Sequence, residues 1–118
     1  MPASMARFEC DKYPQTIHFG AFTGDKTAVA CITATPDIKT VWQLRAMAVD
    51  PQFRGTGAGR GLMEYVENAM AENGVTKLWC HAREKAIPFY EKLGWQIDSQ
   101  WYHVRSIGPH KRMGKRIK

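Results

Sequence analysis

Alternation of apolar and polar side chains predicts several strands in this chain. Every second side chain in residues 16–22 is apolar, which predicts a half-buried strand. A turn is predicted at residues 23–26, followed by a returning strand over residues 27–33. A longer strand is predicted from Val41 to Val49, with Gln43, Arg45 and Met47 sharing one face. Three further strands are predicted over residues 76–82, 94–97 and 101–107.

Two stretches instead repeat their apolar residues every three or four positions, which predicts amphipathic helices. The first ends at Asn73-Gly74, turns Glu64 and Glu67 toward water and has its apolar face at Leu62, Met63, Val66, Ala69 and Met70. The second ends at Gly94 and has its apolar face at Ala86, Phe89, Tyr90 and Leu93. Because each helix joins two strands, we expect an α/β fold of the α+β kind, whose mixed sheet has antiparallel hairpins at both ends and parallel neighbours around the helices.

Length and composition limit the possible class of protein. A chain of 118 residues with 44% hydrophobic content suits one core, so a single domain over residues 1–118 is expected, with residues 1–15 as an irregular arm. No apolar run approaches the ~20 residues that span a bilayer, and the N-terminus shows no apolar signal segment. A cytoplasmic protein without a membrane partner is therefore expected.

The net charge of +6 lies at one end of the chain. Residues 1–98 hold 11 basic and 11 acidic side chains, whereas residues 99–118 hold six basic ones and no acid. Residues 108–118 are expected to form a solvated basic tail. Nucleic acid binding by this tail is the weaker alternative, because no aromatic residues interleave with the basic ones.

The cysteines do not point to a metal or redox site. Cys10, Cys31 and Cys80 are scattered and lack a Cys-x-x-Cys spacing. No metal site is expected, and the three thiols are expected to be reduced and mostly buried.

Residues 47–63 carry the strongest chemical signal. A strand ends at Val49, glycines follow at positions 55, 57 and 59, and a helix begins at once. Glycines admit a ligand close to the backbone, and a helix N-terminus offers unpaired N–H donors, so the stretch predicts a pyrophosphate site. A dinucleotide fingerprint would need a third glycine where Arg60 or Leu62 stands, and no Gly-Lys-Ser/Thr triplet is present.

The loop from Arg54 to Gly59 resembles the acetyl-CoA loop of the GNAT superfamily of N-acetyltransferases, with the pattern Arg/Gln-x-x-Gly-x-Gly/Ala. Residues 86–95 resemble the second signature of that superfamily, Ala-x-x-Phe-Tyr-x-x-x-Gly-Phe/Trp. The resemblance implies a mostly antiparallel central sheet with two main helices. The strand and helices that usually open the fold would be missing or reduced here.

The resemblance also implies direct transfer of an acetyl group from acetyl-CoA to a primary amine. Tyr90 would protonate the leaving thiolate. Candidates for the base that deprotonates the amine are His18, His81, His103, His110, Glu9 and Glu84, and His81 and His110 are also candidates for the acceptor site. The residues implied to bind the cofactor are Met47, Ala48, Val49, Arg54, Gly55, Thr56, Gly57, Ala58, Gly59 and Arg60.

The short N-terminus leaves two questions open. A missing layer would expose apolar surface, so a homodimer is expected in which the partner covers that face. The alternative to an enzyme is a catalytically inactive module of GNAT fold that binds CoA or another protein.

Overall fold

The computed structural model describes residues 4–9, 16–25, 27–104 and 108–118, and for residues 4–9, 46, 103 and 104 it describes the backbone alone. Its strands are β1 (Ser4–Glu9), β2 (Ile17–Phe22), β3 (Ala28–Pro36), β4 (Val41–Val49), β5 (Lys77–Arg83), β6 (Gln96–Ile97), β7 (Tyr102–Val104) and β8 (Gly108–Arg116). Its α-helices are α1 (Ala58–Glu72) and α2 (Ile87–Lys92), and short 3₁₀ helices cover Pro51–Phe53 and Glu84–Ala86.

The strands form one sheet in the order β1-β2-β3-β4-β5-β8-β6, with β7 also paired to β8. β4 and β5 run parallel, whereas the other described pairings are antiparallel. Helix α1 makes the crossover that a parallel pair requires. The predicted mixed, mostly antiparallel sheet with two main helices is confirmed.

The N-terminal segment is more regular than its sequence suggests. Residues 4–9, expected to belong to an irregular arm, form β1 and pair with β2 from Ser4↔Phe22 to Glu9↔Ile17. A weakly patterned segment can become a strand when a neighbouring edge supplies its hydrogen bonds. The prediction for residues 10–15 lies outside the described residues, and the described part contains no helix between β1 and β2.

The prediction of a solvated basic tail is wrong, because residues 108–116 form β8 inside the sheet. β8 pairs with β5 along one side and with β6 and β7 along the other. β5 and β6 are therefore not neighbours, and the parallel pair expected around α2 does not form. Met113 is the large apolar side chain that β8 buries, so the strand shows no alternation that its sequence could reveal.

Both helices pack on one face of the sheet. The predicted apolar face of α1 is confirmed, since Leu62, Met63, Val66 and Met70 are buried. Facing them, the sheet contributes buried side chains that include Phe19, Ile32, Leu44, Leu78 and Met113. No helix of the described part covers the opposite face of the sheet, which we call the helix-free face. None of the described helices is long and apolar enough to cross a membrane.

In the described part of the chain, the helix-free face carries polar side chains together with the aromatic rings of Trp79 and Phe22. Side chains alternate along a strand, so residues next to the buried positions point to this face. Among the described residues they include His18, Thr33, Gln43, Arg45, Trp79, His81 and Arg112.

Glu67 connects the helices to β8 instead of facing water as its position predicts. Its carboxylate accepts hydrogen bonds from Lys115 Nζ at 2.7 Å and from Trp95 Nε1 at 3.1 Å. Lys115 Nζ also donates to the carbonyl of Leu93 at 2.7 Å. This partly buried group of charges ties α1, the end of α2 and β8 together.

Candidate active site

Strands β4 and β5 separate from each other at the centre of the sheet. Their parallel pairing runs from Val41↔Lys77 to Leu44↔Cys80, although β4 continues to Val49 and β5 to Arg83. Beyond Leu44 and Cys80 the gap between the strands leaves backbone groups of both available to a ligand. The gap also connects the helical face of the sheet with the helix-free face.

A β-bulge in β4 changes the direction of its side chains just before the glycine loop. Between the pairs Thr33↔Arg45 and Cys31↔Ala48, β4 advances three residues while β3 advances two. The extra residue reverses the alternation. Met47 therefore packs against the core on the helical side, which corrects the prediction that it shares a face with Gln43 and Arg45.

The loop that follows β4 owes its shape to two glycines in the left-handed region. Gly55 has φ 80° and Gly57 has φ 89°, and a Cβ at either position would meet no atom within 4 Å. Glycine is required there by the backbone conformation, because other residues rarely adopt positive φ. The loop thereby directs the N-terminus of α1 into the gap between β4 and β5.

Gly59 has a different purpose, which is close packing. A Cβ on Gly59 would lie 3.2 Å from Val49 Cγ2 and 3.4 Å from Met47 Cε. A Cβ here would crowd both atoms, so glycine lets the first turn of α1 pack closely against the end of β4.

The N-terminus of α1 can receive an anion. Gly57 precedes the 15-residue helix, so no side chain caps its first N–H groups, and the first turn contains no acidic residue. These donors and the helix dipole favour a negatively charged group. Arg54 and Arg60 line the same site, and Arg60 Nε also donates to Glu64 at 3.1 Å.

Tyr90 lies on the helical side of the gap. It is 6% exposed, and its hydroxyl donates to Met47 Sδ at 3.8 Å. Burial raises the pKa of Tyr90, and the neighbouring Cys80 raises it further. Tyr90 therefore keeps its proton at neutral pH and is a donor toward anything that enters the gap.

The cysteines differ in their surroundings. Cys80 is buried, and that burial raises the pKa of its thiol to about 12. A thiol with this pKa is protonated at neutral pH and is a weak nucleophile. Cys31 is exposed, contrary to the prediction, and Cys10 lies outside the described residues.

His81 lies across the gap from Tyr90, on the helix-free face. Its Nδ1 and the Tyr102 hydroxyl are 2.5 Å apart. Burial lowers the pKa of His81, and the charges of His110, Arg112 and Arg45 lower it further. The imidazole is therefore neutral near pH 7 and can accept a proton.

His110 stands beside this pair and is buried. Its ring stacks on Tyr102 with centroids 6.3 Å apart. Its Nδ1 lies 2.8 Å from the carbonyl oxygen of Gly108, which can only accept, so Nδ1 carries the hydrogen. His110 thereby supports Tyr102, which in turn orients His81.

An open cleft of about 1490 Å³ brings most of the predicted site residues together. Its lining includes Met47, Ala48, Val49, Arg54, Gly55, Gly57, Gly59, Arg60, His81, Tyr90 and His110. Thr56 and Ala58 do not line it: Thr56 donates its hydroxyl to the carbonyl of Phe53 at 2.5 Å, and Ala58 packs in the core.

Several residues of the cleft were not predicted from the sequence. Arg45, Phe53 and Phe89 also line it, and Tyr102 holds His81 from β7. Side chains alternate in β4, so Arg45 points to the face opposite to that of Leu44, and this position could have indicated that Arg45 lines the cleft. Tyr102, in contrast, comes close to His81 only because the unpredicted strand β8 lies between β5 and β7. Of the other base candidates, Glu84 lines the cleft and His18 does not, while the side chains of Glu9 and His103 lie outside the described residues.

Comparison with known proteins agrees with this geometry. Residues 2–95 match the model of the Acetyltransferase (GNAT) family. The uncharacterized N-acetyltransferase YitI of Bacillus subtilis (strain 168) is 29% identical over 118 residues, an alignment that covers 95% of this chain and 78% of YitI. An uncharacterized ycf52-like N-acetyltransferase of Prochlorococcus marinus is 29% identical over 97 residues, an alignment that covers 77% of this chain and 47% of that relative.

A solved structure shows the same fold. The crystal structure of an aminoglycoside 6'-N-acetyltransferase complexed with coenzyme A superposes with a TM-score of 0.79 and 22% identity. The match covers 91% of this chain and 76% of that one.

Proposed function

The chain belongs to the GNAT family of acetyltransferases, whose acetyl donor is acetyl-CoA, and we propose that it transfers an acetyl group directly to a primary amine. The observation that carries the proposal is the uncapped N-terminus of α1, which the glycine loop directs into the gap between β4 and β5. The gap joins an anion site, a tyrosine that holds its proton and a neutral histidine.

The residues of the cleft fit coenzyme A. The first turn of α1, together with Arg54 and Arg60, would hold the pyrophosphate, because each hydrogen bond to a charged oxygen contributes about 1.5–3 kcal/mol. The backbone of Ala48 and Val49 lies along the gap and would hold the extended arm of the cofactor. Thr56 and Ala58 would shape the loop rather than contact the ligand.

When bound, acetyl-CoA supplies an acetyl group activated as a thioester: the amine nitrogen bonds to the carbonyl carbon and the carbon–sulfur bond breaks. Tyr90 donates its hydroxyl proton to the departing sulfur from the helical side of the gap, and the second proton that the nitrogen loses as the amide forms replaces it. His81 takes the proton of the ammonium group from the opposite side. A primary ammonium has a pKa near ~10.4, so at pH 7 this proton must be removed before the nitrogen can attack.

Calorimetric titration with acetyl-CoA tests the proposal. We expect micromolar affinity for the wild type, and no binding for Gly57→Glu, which places a carboxylate in the anion site. Gly74→Glu is the matched control, since Gly74 has φ 86° and open space around it like Gly57, but lies at the far end of α1. Equal affinities of the two variants would refute the anion site, and a folded wild type that binds no acetyl-CoA would refute the function.

The role of Tyr90 has its own test. Tyr90→Phe removes the hydroxyl and keeps the ring that packs against Phe89 and Trp95. We expect unchanged affinity for acetyl-CoA and lower turnover, and unchanged turnover would remove Tyr90 from the acid role.

The homodimer, the cytoplasmic location and the single domain stay predictions. Light scattering at micromolar protein concentration decides the oligomeric state. The solved structure with coenzyme A is that of an aminoglycoside acetyltransferase. Its sequence identity of 22% is too low to assign the same acceptor to this chain. No observation favours an inactive binding module over an enzyme.

A further inference from the structure

Positive charge surrounds His81 on the helix-free face. Arg45 follows the last residue of β4 that pairs with β5, and Arg112 is the direct partner of His81 on β8. Arg83 stands two residues beyond His81 on the same face of β5. Three guanidinium groups therefore border the place where the acceptor amine would enter.

One of these arginines is already neutralised within the protein. Arg112 Nε donates to Asp98 at 2.7 Å, and this bond is the largest reason why the pKa of Arg112 is raised. Lys77 Nζ lies 3.8 Å from the same carboxylate. Arg112 is therefore held by Asp98 beside the cleft, which it does not line, and is not free to bind an acceptor.

Arg45 and Arg83 have no such partner among the described residues. Both side chains are exposed and line the cleft, and no described residue forms an ion pair or a hydrogen bond with either guanidinium. Glu84 is the only acidic residue among the described residues of the lining, which also includes Arg54, Arg60 and Lys85. Among the described residues, the acceptor side of the cleft thus holds more positive than negative charge.

We propose that the acceptor amine carries a carboxylate or phosphate group, which Arg45 and Arg83 bind on the helix-free face while the amine lies at His81. This inference rests on the proposed function above. A guanidinium matches both anions with paired N–H donors, which makes arginine the side chain suited to either group. A polyamine would instead bring more positive charge to a wall that already repels it.

An anion at this place also makes His81 a better base. Arg45 is one of the charges that lower the pKa of His81. A carboxylate or phosphate bound beside Arg45 offsets that charge and raises the affinity of the imidazole for a proton. Binding of the correct acceptor therefore prepares the group that deprotonates it.

Matched pairs of amines test the inference. Phosphoethanolamine is compared with ethanolamine, and 4-aminobutanoate with 4-aminobutanamide, with spermidine as a polycation, by following thiol release from acetyl-CoA. We expect kcat/KM to be about 10- to 100-fold higher for the anionic member of at least one pair, the range that charge-assisted hydrogen bonds produce. The pair that responds shows whether phosphate or carboxylate is preferred.

Variants locate the effect. The double variant Arg45→Gln, Arg83→Gln should bring the ratio of kcat/KM between the anionic and the neutral member of the responding pair to within about threefold of one, because the paired donors for the anion are gone. Arg116→Gln is the matched control, because it removes an exposed arginine of β8 that does not line the cleft. A preference that survives in the double variant would overturn the inference.

A binding measurement decides the case in which no amine of the panel reacts. Inorganic phosphate is titrated into protein saturated with coenzyme A, so that the pyrophosphate site is already filled. We expect phosphate binding that Arg116→Gln keeps and the double variant loses. If coenzyme A binds and phosphate does not, or if neutral or cationic amines react best, the inference fails and the proposed function stands. If acetyl-CoA does not bind at all, the proposed function fails and the inference fails with it.

Discussion

Two titratable side chains, Tyr90 and His81, face the same gap from opposite sides of the sheet, and their surroundings move them in complementary directions. Burial raises the pKa of Tyr90, so this residue holds a proton to donate. Burial and nearby positive charge lower the pKa of His81, so this residue is free to receive one. The two groups thus have the protonation states that a general acid and a general base need near neutral pH.

A pH profile tests the assignment of His81. The imidazole must be neutral to act as a base, and its pKa is lowered, so kcat/KM should fall only when the pH drops below the ordinary histidine value of ~6.5. Among the described residues, the charged and titratable groups around it are Arg45 from β4, Arg83 on β5, Tyr102 from β7, and His110 and Arg112 from β8.

His81→Gln should remove this acidic limb of the profile together with most of the activity. His18→Gln, which changes a histidine of the helix-free face outside the cleft, should leave the limb in place. A limb that is unchanged in His81→Gln would assign the proton transfer to another group.

At the scale of elements, the sequence predicted what local patterns determine. The bounds of β4 match the predicted Val41–Val49, and the ends of both helices at Gly74 and Gly94 follow from glycines with positive φ. β8 could not be predicted, because β5 on one side and β6 and β7 on the other supply its hydrogen bonds, and its own residues bury mainly Met113. The face of Met47 could not be predicted either, since the bulge that turns it depends on the register between β3 and β4.

The Glu67 cluster gives a prediction about stability at this scale. Glu67→Ala leaves Trp95 Nε1 without its acceptor and Lys115 with a carbonyl in place of a carboxylate. We expect the free energy of unfolding to fall by about 1.5–3 kcal/mol, the contribution of hydrogen bonds to a charged group. Urea denaturation followed by circular dichroism measures it.

Glu64→Ala is the control on the same helix. Its ion pair with Arg60 is solvent-exposed, so the expected change is below about 0.5 kcal/mol. Equal losses in the two variants would show that the buried cluster contributes no more than a surface pair.

At the scale of the whole molecule, β8 determines whether the sheet is continuous. The strand lies between β5 and the β6–β7 edge, so it joins that edge to the rest of the sheet. Two of its cations are already bound within the protein, Arg112 to Asp98 and Lys115 to Glu67. A free basic tail, which the nucleic acid alternative required, is therefore not present in residues 108–116.

Truncation tests this role of β8. A chain that ends at residue 107 should lose its cooperative thermal transition, because β5, β6 and β7 would lose their hydrogen-bonded neighbour. Removal of Lys118 alone, which lies beyond β8, should leave the melting temperature nearly unchanged. A truncated chain that still melts cooperatively would show that β8 is dispensable.

The position of β8 also has a consequence for synthesis on the ribosome. The chain emerges in order, and β1 to β5 with both helices can leave the exit tunnel while the inner edge of β5 is still unpaired. An unpaired central edge is a template for wrong pairing with other chains. The nascent protein is therefore most vulnerable to aggregation in the interval before residues 108–116 emerge and insert.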